Sequence, residues 1–250
     1  MKPVISRALA LPFALQVENV SFHYGPKKVL DKVSFDLPVG TFTGLLGLNG
    51  AGKTTLFGLL TRLLHSTQGS ISVLGNSLAT HSGKALAQTG VVFQQSTLDI
   101  DLTVRQNLQY HAALHGIGRR QAIAAIEQQL DRFKMLDRLD DKIRTLNIGH
   151  RRRVEFARAL LHSPKLLLLD EATVGLDIDT RYMINQHIRE RCQNQGMTIL
   201  WTSHMMDEVE EGDNVILLHQ GQLLSQGEIG EIVDQSGYQN LQQLMLNLTK

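Results

Sequence analysis

The chain has 250 residues, of which 25 are basic and 24 acidic, for a formal net charge of +1. That balance excludes the broad positive field of a protein that coats nucleic acid or adheres to anionic lipid, and a 42% hydrophobic, 20% charged composition is that of a globular chain with its own core. Cys192 is the only cysteine, which excludes an internal disulfide framework and fits a reducing compartment. No run of about 18 apolar residues is present, so no membrane-spanning helix is expected. Lys2, Arg7 and the apolar residues 8–11 give a faint likeness to a secretory leader, but the stretch is short and runs through Pro12 into Gln16, Glu18 and Asn19. Residues 1–14 therefore read as an extension before the first strand.

Residues 15–22 alternate as a strand does, and 33–37 alternate more cleanly, with Val33, Phe35 and Leu37 on one face. Tyr24, Gly25 and Pro26 form the turn between them. Residues 41–46 are an apolar strand that runs into the glycine-rich segment 47–52, and 53–64 then reads as a buried helix. Residues 71–74 and 91–93 are further short strands. The signal then turns helical. Thr103 and Gln106 have capping-box spacing, with Val104, Leu108 and Ala112 recurring every four residues behind them. A second helix is expected from 120 to about 136, and a third after Gly149, stopped by Pro164.

Strands and helices alternate again beyond that point: strand 166–169, helix 180–195, strand 198–202, a short helix near 207–210, and a hairpin of 215–218 with 222–224. The order predicts one α/β domain over 15–228, with a mostly parallel sheet, antiparallel β elements at its N-terminal side and a helical subdomain inserted at about 96–163. Residues 229–250, with Leu241, Leu244, Met245 and Leu248 at helical spacing, read as a C-terminal helix.

Residues 47–54 read G-L-N-G-A-G-K-T, the full G-x-x-x-x-G-K-[ST] pattern of a P-loop, and they lie after a strand and open a helix. In such a loop the backbone of Asn49, Gly50, Ala51 and Gly52 wraps the phosphates of ATP. Lys53 reaches the outer phosphates, the Thr54 hydroxyl ligates Mg²⁺, and Thr55 is a further phosphate contact. Residues 166–171 read L-L-L-L-D-E, a strand apolar on both faces that delivers two carboxylates to its end. Taken alone, that pattern equally describes a buried strand with a polar tip. Beside a P-loop it assigns Asp170 to the Mg²⁺ shell and Glu171 to the attacking water as general base or orienting group. The fold predicted is thus a P-loop NTPase core.

Three more segments narrow the kind. Gln94 follows the strand 91–93, residues 145–150 read T-L-N-I-G-H before a helix, and His204 follows the strand 198–202. In this order the chain resembles the ATP-binding cassette (ABC) ATPase family over about residues 15–227. The resemblance implies that Tyr24 stacks on adenine, that Gln94 contacts the Mg²⁺ and water network and faces a transmembrane partner, that Asp177 lies in a D-loop, and that His204 touches the γ-phosphate. It also implies that Asn147, Gly149 and His150 reach across a head-to-tail dimer to the nucleotide held by the other subunit. Gln94 and Gln95 compete for one role, with Gln94 favoured by its place directly after the strand. Arg151, Arg152 and Arg153 read either as a solvated run or as cations that oppose the helix dipole until an anion, such as the partner-bound nucleotide, relieves them.

The family signature is L-S-G-G-Q, whereas this chain has L-N-I-G-H at 146–150. Asn147 and His150 keep hydrogen-bonding capacity, but Ile148 puts a β-branched side chain in place of glycine, which is expected to exclude positive φ and to blunt approach to phosphate. The resemblance therefore implies an ATPase that uses ATP and Mg²⁺ and works as a homo- or heterodimer with a separate transmembrane permease subunit. It would sit on the cytoplasmic face of the inner or plasma membrane, without nucleic acid. The residues from Gln94 to Leu108 and the L-N-x-G-H signature also resemble ATP-binding subunits associated with pyrroloquinoline quinone-dependent alcohol catabolism, and residues 173–177 look most like export-type cassettes. A soluble ABC ATPase, or an ATP-binding switch that hydrolyses weakly because of Ile148, remains open beside the transport reading.

Overall fold

The alternation in the first two strands closes a long hairpin: β1 (Phe13–Tyr24) pairs antiparallel with β2 (Lys27–Pro38), placing Val17 opposite Phe35 and Val20 opposite Val33. The computed structural model describes residues 12–66, 68–203 and 208–247. β3 (Phe42–Leu46) leads through the glycine-rich loop into α1 (Lys53–Leu60), followed by β4 (Gln68–Val73), β5 (Asn76–Ser77), the short α2 (Ser82–Leu86) and β6 (Thr89–Val92). α3 (Val104–Leu114), α4 (Arg119–Arg132) and α5 (Ile148–Leu160) form the helical region. β7 (Leu166–Asp170), α6 (Ile178–Gln195), β8 (Thr198–Ser203), β9 (Asn214–His219) and β10 (Gln222–Glu228) return to the sheet, and α7 (Ile229–Ser236) and α8 (Leu241–Asn247) close the chain.

The strands make two sheets. One is antiparallel, in the order β2-β1-β4-β5; the other runs β10-β9-β3-β8-β7-β6, parallel except where β10 turns back on β9. This is the mixed α/β fold predicted, with its mostly parallel sheet and antiparallel N-terminal elements. The period-2 pattern of β7 shows how the layers are glued. Leu167 and Leu169 face a core shared with the helical region, beside Leu130, Phe133 and Phe156, while Leu166 and Leu168 face a second core with α1 and the antiparallel sheet. All four leucines are fully buried, and each such burial stabilises the fold by about 1.5–3 kcal/mol.

Helix ends follow local chemistry. Thr103 and Gln106 form the expected capping box on α3. α1 stops at Leu60, short of the predicted 64, because Arg62 turns left-handed (φ 65°) and the Leu64 amide folds back onto the Gly58 carbonyl at 2.9 Å. α4 stops at Arg132 rather than near 136, because Lys134 adopts φ 54° and the Met135 amide closes onto Leu130 at 2.8 Å. The single C-terminal helix expected over 229–250 is corrected to α7 and α8, separated where Gly237 takes φ 72°. Residues 1–11, Leu248 and the start of the helix expected near 207–210 lie outside the described residues.

Candidate functional site

β3 ends in the middle of the parallel sheet, and the chain must turn at once into α1. Glycine is required there for space as well as for conformation. A Cβ on Gly47 would lie 2.4 Å from the Leu218 carbonyl oxygen, and Gly52 combines φ 106° with a Cβ position 2.8 Å from Leu30. The loop so formed sets Lys53, Thr54 and Thr55 at the first turn of α1. Lys53 is buried, and its ammonium donates to the carbonyls of Gly47 (2.6 Å) and Leu48 (3.2 Å). Burial pulls its pKa below the usual lysine value, opposed by the nearby Glu171 and Asp170 carboxylates. Thr54 is exposed and Thr55 buried.

The carboxylates arrive from β7 and are organised by its neighbour β8. Asp170 is buried and accepts a hydrogen bond from the Thr202 hydroxyl at 2.8 Å. The Glu171 amide donates to the same hydroxyl (3.0 Å) and to the Thr202 carbonyl (3.1 Å). Glu171 itself takes φ 46°, a left-handed conformation uncommon outside glycine, and Gln94 donates from Nε2 to Glu171 Oε2 at 2.9 Å. Gln94 is thus the glutamine brought to the carboxylates. Thr202 was not legible as a site residue, although its position paired with Asp170 on the adjacent parallel strand is what makes it one. Thr202→Val removes a donor to Asp170 and an acceptor for the Glu171 amide. It is expected to cost about 1–3 kcal/mol of stability and to slow nucleotide turnover, read by urea denaturation and a phosphate-release assay.

A cleft of about 510 Å³ lies over this arrangement, bringing together Tyr24, residues 48–55 and Glu171. Asn49, Gly50, Ala51 and Gly52 all line it. Tyr24 is half-exposed at its mouth and meets Phe22 edge-on, with ring centroids 5.0 Å apart. Lys27, Lys28 and Gln220 also line the cleft, and sequence reasoning missed them. The two lysines had a signal, since adjacent cations follow the tyrosine turn. The donor set fits a polyphosphate with a hard divalent cation: loop amides at a helix start, a buried ammonium, and oxygen ligands from Thr54, Gln94 and Asp170.

Asn147, Gly149 and His150 do not line this cleft. Asn147 caps α5, its Oδ1 accepting from the His150 amide at 2.8 Å, and a Cβ on Gly149 would lie 3.7 Å from Asp177 Oδ2. Asp177 in turn caps α6 by accepting from the amide (2.8 Å) and hydroxyl (2.9 Å) of Thr180. Ile148 is the first residue of α5 and, as expected of a β-branched residue, is absent from the positive-φ residues; its side chain is 68% exposed. The reading of the three arginines as a solvated run is corrected, because each is tied down within the chain. Arg151 donates to the carbonyls of Ile143, Arg144 and Leu146, and Arg153 to the Thr180 hydroxyl. Arg152 donates to the carbonyls of Phe93 and Gln94, each at 2.7 Å, and to Glu155. His204 lies outside the described residues.

A protein-family model described as "ABC transporter" matches residues 30–174. The chain is 33% identical over 234 residues to the linearmycin resistance ATP-binding protein LnrL of Bacillus subtilis strain 168, covering 93% of this chain and 75% of that one. It is 37% identical over 214 residues to the Nod factor export ATP-binding protein I of Burkholderia orbicola strain AU 1054, covering 85% and 70%. A solved structure titled as the ATP binding subunit of an ABC transporter superposes with a TM-score of 0.88 at 28% identity, over 95% of this chain and 100% of that one.

Proposed function

The chain belongs to the ABC transporter family and is an ATP-binding ATPase subunit of it, and from that premise we propose that it hydrolyses ATP as a dimer to drive export through a separate membrane subunit. The observation that carries the dimer is the division of the site. The P-loop and Glu171 line one cleft, with Gln94 bonded to Glu171 and Asp170 preceding it, while Asn147, Gly149 and His150 do not line it and Gly149 lies beside Asp177, from where the segment would complete the cleft of another copy or of a similar chain. Among the described residues no helix is long and apolar enough to cross a membrane, so a pathway across one would come from a partner chain. Export is supported by the names of relatives, one of which is a Nod factor export protein and another a resistance protein. The narrower likeness to subunits linked with pyrroloquinoline quinone-dependent catabolism stays a proposal of the same kind.

In this mechanism Tyr24 stacks on adenine, and the loop amides of residues 49–55 hold the phosphates. Lys53 exchanges its bonds to Gly47 and Leu48 for bonds to the outer phosphates, losing little because both are charge-assisted. Mg²⁺, held by Thr54, Asp170 and Gln94, would neutralise phosphate charge. Glu171 orients the attacking water and takes its proton, with Gln94 fixing the carboxylate, and His204 is assigned to the γ-phosphate. ATP closes the dimer only to the extent that it binds the closed form more tightly. The test is affinity purification of the native complex from detergent-solubilised membranes. A polytopic membrane protein recovered in stoichiometric amount is the expected result, and a purely soluble partner overturns the transport reading.

A further inference from the structure

α3 carries His111, His115 caps its C-terminus one turn later, and the segment that leaves α5 toward β7 carries His162. One ring nitrogen from each of the three lies within 4.8 Å of the others, and all three residues are partly buried. His115 stacks on His162 with centroids 3.8 Å apart, and His111 closes the group with its centroid 4.7 Å from that of His115. Two of the nitrogens are buried without a hydrogen-bond partner, His111 Nε2 and His162 Nδ1. Each such atom costs about 1–3 kcal/mol if nothing ever satisfies it. His162 Nε2 lies 3.2 Å from the Thr89 carbonyl, an acceptor, which makes Nε2 the protonated nitrogen and leaves the Nδ1 lone pair directed at the cluster. A histidine that donates one ring N–H to a backbone carbonyl and offers the other nitrogen is the arrangement that orients metal ligands.

The geometry points to a three-histidine site for a divalent transition metal of the zinc class, separate from the nucleotide cleft, that ties α3 to the edge strand β6. Imidazole donors suit Zn²⁺, and three protein ligands plus water complete a tetrahedron. At Zn–N distances of about 2.0–2.1 Å, tetrahedral ligands stand about 3.4 Å apart, so the rings close inward as His115 turns out of its stack. The ligands are already in the neutral form that binds metal. Burial holds His111 down to about 3 and His162 to about 4, with like charge from His115 adding to each, and burial also lowers His115. Arg158, which also pushes His111 toward neutrality, turns its guanidinium to the carbonyl (2.9 Å) and hydroxyl of Thr97. Because the ligands come from α3 and from the turn after α5, while Thr89 is on β6, a bound metal would fix the helical region against the sheet.

The test uses the untagged full chain, stripped with a chelator and kept free of nucleotide and Mg²⁺. Titration with Zn²⁺ against a chromogenic chelator is expected to show one tight site per chain and a raised Tm. Co²⁺ is expected to give the visible bands of a tetrahedral site. His115→Gln and His162→Gln should each weaken Zn²⁺ by at least about tenfold and abolish the shift in Tm. His115 is the more exposed choice should His162→Gln fold poorly, and circular dichroism checks both. No Zn²⁺ uptake by the stripped wild type, or uptake undiminished in the folded variants, overturns the proposal.

Discussion

Glu171→Gln is expected to lower ATP turnover by about 10²–10⁴-fold while leaving ATP binding nearly unchanged. The substitution keeps the size of the side chain and an oxygen that can still accept from Gln94 Nε2, now at 2.9 Å, but removes the basicity needed to take a proton from water. It leaves the backbone alone: φ 46° at this position and the two bonds from the amide to Thr202 do not depend on the carboxylate. Loss of turnover therefore reports chemistry, not misfolding. Phosphate release should fall, a fluorescent ATP analogue should bind with wild-type affinity, and light scattering should show dimers accumulating in ATP, because closed dimers no longer reopen. Unchanged turnover would remove Glu171 from the water-activating role. Lost binding would mean that the carboxylate acts chiefly by holding Lys53, whose pKa it helps to raise.

What the sequence made legible was chemistry contiguous in the chain. The P-loop, the Asp170-Glu171 pair at a strand end and the capping box at Thr103 are local patterns, and local patterns survive without a structure. The strands of the parallel sheet were equally plain, since β7 is an apolar run and β8 has an apolar centre at Ile199, Leu200 and Trp201. Contacts made by folding were not. Thr202 reaches Asp170 across two strands, and His162 meets His111 and His115 only because α5 returns beside α3. The three arginines show the failure most clearly. Read locally they are like charges at a helix start, unfavourable to the dipole. In the fold the guanidinium groups of Arg151 and Arg152 donate to carbonyls of the turn at 143–146 and of the segment after β6, and Arg153 donates to the Thr180 hydroxyl, so the local cost is offset by bonds that periodicity does not reveal.

Arg152→Ala is expected to be the most destabilising of the substitutions, by about 3–5 kcal/mol, because it leaves the Glu155 carboxylate buried without its cation. The pair is almost fully enclosed, with side chains 9% and 3% exposed and an N–O distance of 2.8 Å. The two side chains also pin the segment that follows β6 from both ends: Arg152 holds the carbonyls of Phe93 and Gln94, and Glu155 accepts from the Thr97 amide at 2.9 Å. That segment delivers Gln94 to Glu171. Stability and activity therefore separate in a double variant. Arg152→Met with Glu155→Leu removes both charges and should recover much of the stability lost by Arg152→Ala, since a buried pair replaced by apolar groups is often neutral. It should not recover turnover, because the Phe93 and Gln94 carbonyls and the Thr97 amide still lack their partners and Gln94 is no longer held. Urea denaturation and steady-state ATPase on the same preparations measure both quantities. A double variant that regains wild-type turnover would show that Gln94 keeps its place without Arg152 and that the ion pair serves stability alone.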